Sequence, residues 1–228
     1  MSLFAIADTH LSFGSNKPMD DFEGWLNYTD RLKENWNKII DDKDYVVIAG
    51  DISWAMNFDE LKADFEYINQ LNGKKIILKG NHDYWWNTMS KMNKFIEDNN
   101  FNTISILHNN AFDFDDFSVC GSRGWFFDSD EEQNEKVLNR EVMRIKASIE
   151  SALNCEKIVF LHYPPVYENQ CCEEIVSLLK EKGIKKCYYG HIHGVAAKYA
   201  FDDNYDGIDF KLISADRLNF MPLLIKKF

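Results

Sequence analysis

Short apolar runs recur along the chain, each rich in β-branched or aromatic residues and each ending on a polar or glycine-containing turn. They occupy residues 3–7, Tyr45–Ala49, 75–78, 157–161 and Lys186–Tyr189. A continuous apolar run of this length reads as a strand covered on both faces, as in the central sheet of an α/β protein. Between the runs, helical spacing predicts helices. One covers 27–40, with Leu32, Trp36, Ile39 and Ile40 on one face. A second covers 59–71, with Leu61, Phe65, Ile68 and Leu71. The longest covers 131–153 through Val137, Leu138, Val142, Ile145 and Ile149. A shorter one covers 172–182, with Gly183 placed as the residue just past its end.

Two stretches break the alternation. Residues 103–121 read as a strand meander with turns at Asn109-Asn110 and Asp115-Asp116. Residues 195–228 read as strands over 196–201, 210–214 and 222–226, with turns at Asp202-Asp203-Asn204 and Asp206-Gly207. The pattern contains no linker, repeat or low-complexity tract. One domain over 1–228, with helices on both outer faces of β-sheet, is the expected packing.

Composition changes this picture little. Hydrophobic residues make up 45% of the chain and charged residues 28%, as in ordinary globular proteins. The formal charge of −11 repels polyanions over most of the surface, which argues against long nucleic acids as partners. A small phosphorylated substrate remains compatible, since bound cations would reverse the local field. The five cysteines include no C-x-x-C pair and are expected to be reduced thiols. The first apolar run is too short for a signal segment, and no stretch has the length of a membrane span. A cytoplasmic protein without membrane partners is the expectation.

The candidate chemistry sits where the strands stop. Asp8-Thr9-His10 follows the first run, Gly50-Asp51 the second and Gly80-Asn81-His82-Asp83 the third. His162 follows the fourth and Gly190-His191-Ile192-His193-Gly194 the fifth. Of the six histidines, only His108 stands outside such a motif, and it reads as a loop residue. Ligands of open α/β sheets bind beyond the carboxyl ends of the strands. Carboxylate, imidazole and amide oxygen together suit transition-metal ions rather than soft thiolate sites. A single carboxylate such as Asp51 can serve two ions through its two oxygens, and glycines let the backbone approach closely.

These blocks, D-x-H, G-D, G-N-H-[DE], a lone H and G-H-x-H in that order, make the chain resemble the calcineurin-like metallophosphoesterase superfamily. The resemblance runs from Asp8 to His193 and points to its small bacterial phosphohydrolases. It implies a four-layer α/β/β/α sandwich of two mixed β-sheets flanked by helices. It also implies two divalent or trivalent transition-metal ions per chain, drawn from Mn, Fe, Zn and Co. Asp8, His10 and His193 would hold one ion, and Asn81, His162 and His191 the other, with Asp51 shared. His82 would stand outside the metal shell, stabilise the transition state and protonate the leaving oxygen. Asp83 would orient His82 or a metal-bound histidine.

Other residues are read from their setting. Trp54, Tyr84, Trp85, Trp86, Trp125, Phe126 and Phe127 are expected to pack the loops around the site. Arg123, in a glycine-flanked loop, is a candidate phosphate clamp, with a structural ion pair as the competing role. Asp216 and Arg217 read as a local pair. The expected function is hydrolysis of a small phosphomonoester or phosphodiester. The alternatives are a non-catalytic interaction module on the same fold, or a protein Ser/Thr phosphatase. The latter carry G-D-x-V-D-R-G, where this chain has Gly50-Asp51-Ile52-Ser53-Trp54-Ala55-Met56. The second Asp and the Arg of that pattern are missing.

Overall fold

The structure, a computed structural model, describes residues 1–125, 135–168 and 170–228. In chain order its first strands are β1 (Ser2–Ile6), β2 (Tyr45–Ala49), β3 (Lys74–Leu78), β4 (Ile104–Ile106), β5 (Phe112–Asp113), β6 (Phe117–Ser122) and β7 (Glu156–Leu161). There follow β8 (Val166–Tyr167), β9 (Gln170–Cys171), β10 (Lys186–Tyr189), β11 (Asn204–Tyr205), β12 (Ile208–Leu212) and β13 (Leu223–Lys227). The helices are α1 (Tyr28–Ile39), α2 (Phe58–Gln70), α3 (Met89–Asp98), α4 (Glu135–Glu150) and α5 (Glu173–Glu181).

Alternation along each strand decides the layering. Successive strand residues point to opposite faces, so one strand can serve two cores. Phe4 and Ile6 of β1, with Val46 and Ile48 of β2, face a core closed by Leu32 and Trp36 of α1 and by Leu61 and Phe65 of α2. Leu3, Ala5, Val47, Ala49, Ile76 and Leu78 face the other way, onto Phe117, Val119, Ile158 and Phe160 of the second sheet. Val159, Leu161, Cys187 and Phe210 then face outward onto Ile145 and Ile149 of α4 and Ile175 and Leu179 of α5. The result is the expected α/β/β/α sandwich.

The first sheet has the order β13-β1-β2-β3-β4, and the second β11-β12-β10-β7-β6-β5. β1 to β4 are mutually parallel, as are β6, β7, β10 and β12; β13, β5 and β11 pair antiparallel at the edges. Beyond β12 the chain crosses between the sheets: Ile213 N–H donates to Tyr189 C=O, while Ala7 N–H donates to Ile213 C=O. Carboxyl ends from both sheets therefore meet at one edge.

Two expectations are corrected. Residues 103–121 are not one meander, because β4 belongs to the first sheet and β5 and β6 to the second. Residues 196–201 are not a strand but lie largely in a 3₁₀ helix, Gly194–Tyr199. Gly194 turns there with φ 60°. Its contact with a strand is limited to one antiparallel bridge, Ala200 with Tyr167 of β8, and Val195 and Tyr199 are exposed, so the segment closes short hydrogen bonds of its own. The helix α3 was not anticipated, although Met89, Met92, Phe95 and Ile96 carry a helical stripe. The helix expected over 131–153 is described only as Glu135–Glu150, with 131–134 outside the described residues. Gly183 ends α5 with φ 71°, as expected.

Candidate metal centre

The loops after β1 and β2 run side by side. His10 N–H donates to Asp51 C=O at 2.9 Å and Leu11 N–H to Ile52 C=O at 2.9 Å. This extension brings Asp8 and His10 beside Asp51 in the space between the sheets. The backbone bends sharply to do so. Asp8, His10, Asp51 and His191 all have positive φ (56°, 43°, 49° and 72°). Such a conformation costs about 1–3 kcal/mol per residue outside glycine and clusters at functional sites. Gly80 and Gly190 allow close approach. A Cβ on Gly190 would lie 2.7 Å from Asp8 Oδ2, and one on Gly80 would overlap Asp51.

Asp51 stands between two groups of ligand-type side chains. Its Oδ2 lies 3.7 Å from His10 Nε2 and its Oδ1 3.4 Å from His162 Nε2. On one side are Asp8, His10 and, with its ring 5.3 Å from that of His10, His193. On the other, Asn81 Oδ1 lies 2.6 Å from His162 Nε2 and 2.9 Å from His191 Nδ1. All seven side chains singled out by motif are thus brought together. Two sets, Asp8-His10-Asp51 and Asp51-His162-His191, have ligand atoms close enough to share a cation.

The electrostatics ask for positive charge. Asp8, His10, Asp51 and His162 are almost wholly buried. Burial pushes the Asp8 carboxyl up to about 8 and that of Asp51 well above its usual range. Burial also holds His10 and His162 well below the ordinary imidazole value, so both are neutral and their lone pairs are available. Both ring nitrogens of His10 are buried without a hydrogen-bond partner. Leaving a buried polar group unsatisfied costs about 1–3 kcal/mol. A cation accepting the imidazole lone pair and neutralising Asp8 and Asp51 removes these penalties, so the residues present fit a metal site.

His82 lies at the mouth of this pocket, its ring 5.8 Å from His10 and 4.5 Å from Trp54. Burial first, then the charges of His193 and Lys17, pulls it down to about 4. Its Nδ1 lies 3.1 Å from the Tyr84 hydroxyl. Asp83 does not orient it. The buried Asp83 carboxylate accepts hydrogen bonds from Gly80 N–H at 2.7 Å, Ile52 N–H at 2.9 Å and the Trp85 indole at 3.2 Å. It therefore ties the loop after β3 to the loop after β2, which fixes Asn81 relative to Asp51.

The surrounding residues divide. Trp85 and Trp125 are buried packing, as expected, whereas Trp54 stacks on His10 at 4.8 Å and also touches His82. Phe126 and Phe127 lie outside the described residues. Asp216 and Arg217 are joined through the backbone, Arg217 N–H donating to Asp216 Oδ1 at 2.8 Å, while their side chains turn to other partners. Asp216 Oδ2 accepts from Gly194 N–H at 2.6 Å and so pins the His191–Gly194 loop, while Arg217 reaches Asp202 at 3.8 Å. Lys17, 5.1 Å above the Trp54 ring, is a cation at the mouth that the sequence did not single out. Neither Asp216 nor Lys17 belongs to a strand-end motif, so only the folded chain reveals them. Arg123 lies on the far flank, 5.6 Å over Tyr163, whose ring is 4.5 Å from that of His191.

Comparison with known proteins agrees with this geometry. The sequence model of the calcineurin-like phosphoesterases matches residues 1–195, and the chain belongs to that family. An uncharacterised protein of Methanocaldococcus jannaschii is 34% identical over 86 residues, which span 36% of this chain and 46% of that relative. The match thus spans less than half of that relative. Among solved structures, phosphopantetheinyl hydrolase of Mycobacterium tuberculosis superposes with TM-score 0.57 and 14% identity, covering 100% of this chain and 96% of that one. A protein of unknown function from Aquifex aeolicus gives TM-score 0.51 and 14% identity over 98% of this chain and 95% of its own. At these identities the likeness is one of fold. Among the described residues, no helix is long and apolar enough to cross a membrane.

Proposed function

We propose that the chain hydrolyses small phosphomonoesters or phosphodiesters in the cytoplasm with two transition-metal ions, of Mn, Fe, Zn or Co type. The observation that carries this reading is Asp51, with one carboxylate oxygen toward His10 and the other toward His162. Asp8, His10 and His193 would hold one ion and Asn81, His162 and His191 the other. Such ions, when bound, supply Lewis acidity toward a phosphoryl oxygen and activate water.

The chain's own residues do the rest. Neutral His10 and His162 offer lone pairs without first losing a proton. Trp54 holds the rings of His10 and His82 in fixed relation. His82 is neutral in the free protein; an arriving phosphate dianion raises its proton affinity, so it can carry a proton to the leaving oxygen. Lys17, over Trp54 and beside His82, adds positive charge where the phosphate arrives.

Protein reconstituted with Mn²⁺, Co²⁺, Zn²⁺ or Fe²⁺ should cleave p-nitrophenyl phosphate or its bis-ester. His82→Ala should lose about 10²–10⁴-fold in kcat with metal content unchanged. Inactivity of the wild type with every metal, across monoesters, diesters and nucleotides, would sink the reading.

A further inference from the structure

Helix α2 packs on the first sheet through Leu61, Phe65 and Ile68, yet it also buries a carboxylate. Asp64 is closed off from solvent, and among the described residues no lysine, arginine or histidine pairs with it. Burying a carboxylate without a cation is costly, and an apolar side chain would avoid that cost. What the carboxylate provides is hydrogen bonding to the two loops that carry half of the metal centre. Its Oδ1 accepts from Phe13 N–H at 2.7 Å, in the loop after β1. Its Oδ2 accepts from Ser53 Oγ, in the loop after β2, and Ser53 Oγ in turn accepts from Ala55 N–H at 3.0 Å. Gly14 rests on the same helix so closely that a Cβ there would overlap the Glu60 carbonyl.

These contacts take over where the ladder between the two loops ends. His10 N–H donates to Asp51 C=O, Leu11 N–H to Ile52 C=O and Trp54 N–H to Leu11 C=O, each at 2.9 Å. Beyond Leu11 and Trp54 the loops are next joined through Asp64. Ser53 and Ala55, on either side of Trp54, are both held by this network, and Trp54 stacks on His10 at 4.8 Å. We propose that Asp64 is a positioning residue of the metal centre, holding His10, Asp51 and Trp54 in their mutual placement from α2. Its hydrogen bonds go to the first two loops alone. Asn81 has a separate tie to the loop after β2 through Asp83, which stays in place when Asp64 is changed. The effect of Asp64 therefore falls on the ion held by Asp8, His10 and His193 more than on the one held by Asn81, His162 and His191. The inference rests on the two-ion reading proposed above.

Titration of the metal-stripped full chain with Co²⁺ against a chelating dye resolves the two binding steps, and His10→Ala marks the step of the first ion by abolishing it. Asp64→Ala should weaken that step about tenfold, the low end for partners that orient metal ligands, and leave the other within about threefold. Asp64→Asn still accepts from Phe13 N–H and should stay within about threefold at both steps. Gly14→Ala lifts the loop from α2 with Asp64 intact and should weaken the same step, which carries the test if Asp64→Ala does not fold. Leu61→Ala, a buried core change in the same helix, should melt lower with both steps unchanged. An unchanged first-ion step in Asp64→Ala or in Gly14→Ala, equal weakening of both steps, or the same loss in Leu61→Ala would overturn the role of Asp64. Absence of metal binding in the wild type would overturn the two-ion reading itself and this role with it.

Discussion

Gly80→Ala adds a single methyl group at the point where the structure leaves least room. The new Cβ would stand 2.9 Å from Asp51 Cγ and closer still to Asp51 Oδ1 and its backbone nitrogen. Backbone cannot yield there cheaply, because the loop after β3 is tied to the loop after β2 through Asp83. Overpacking of this kind costs about 1–3 kcal/mol. For a chain of this size that lowers Tm by roughly 2–12 °C. The larger effect is on the site. Asp51 must move by on the order of 1 Å, and a displacement of that size in a catalytic constellation costs about 10²-fold in rate. The assay measures melting, metal content and turnover of p-nitrophenyl phosphate side by side. Gly183→Ala is the control. Gly183 has φ 71° with nothing within 4 Å of its would-be Cβ, so only the cost of a left-handed conformation applies, about 1 kcal/mol. It should melt slightly lower and turn over normally. Wild-type metal content together with wild-type kcat in Gly80→Ala would refute the claim that Asp51 is fixed by this contact.

Other predictions follow from the same geometry. Chelation should lower Tm and metal re-addition restore it, by about 4 kcal/mol at a thousandfold excess over Kd; an unchanged melt would mean the buried His10 nitrogens are not metal ligands. Asp216→Ala frees the Gly194 amide and should weaken metal affinity about 10–100-fold by loosening His191 and His193, read by competition with a chelating dye. Lys75 is buried, donates to Leu71 and Gly73 carbonyls at 2.6 and 2.7 Å, and is pulled by burial from 10.5 to about 8. A base with a depressed folded pKa binds fewer protons folded than unfolded between those values, so its contribution to stability rises as pH climbs from 8 to 10.5. Comparing urea midpoints of wild type and Lys75→Met at pH 7.5 and pH 10 isolates this term. Wild type should gain on the order of 3 kcal/mol relative to the variant, and parallel pH profiles would rule it out.

What the sequence alone determined is local and periodic. The parallel strands are covered on both faces, so they stand out as short apolar runs, and their alternation assigns each residue to one of two cores. The seven ligand-type residues and His82 were legible because a parallel strand end and its turn lie together in the chain. Tertiary structure decided the rest, because it depends on which ends become neighbours. Only the face-to-face sheets put Asp51 between His10 and His162, which lie over a hundred positions apart from one another in the chain. The role of Asp83 changed for the same reason. Its sequence neighbour is His82, but its hydrogen-bond donors come from the loop after β2 and from its own turn. Residues 196–201 have strand-like composition, yet a strand needs a ladder, and the fold offers this segment only a single bridge, Ala200 to Tyr167, among the described residues. Asp216 and Lys17 stand outside every strand-end motif. Their charges acquire meaning only from the side chains that the fold sets against them.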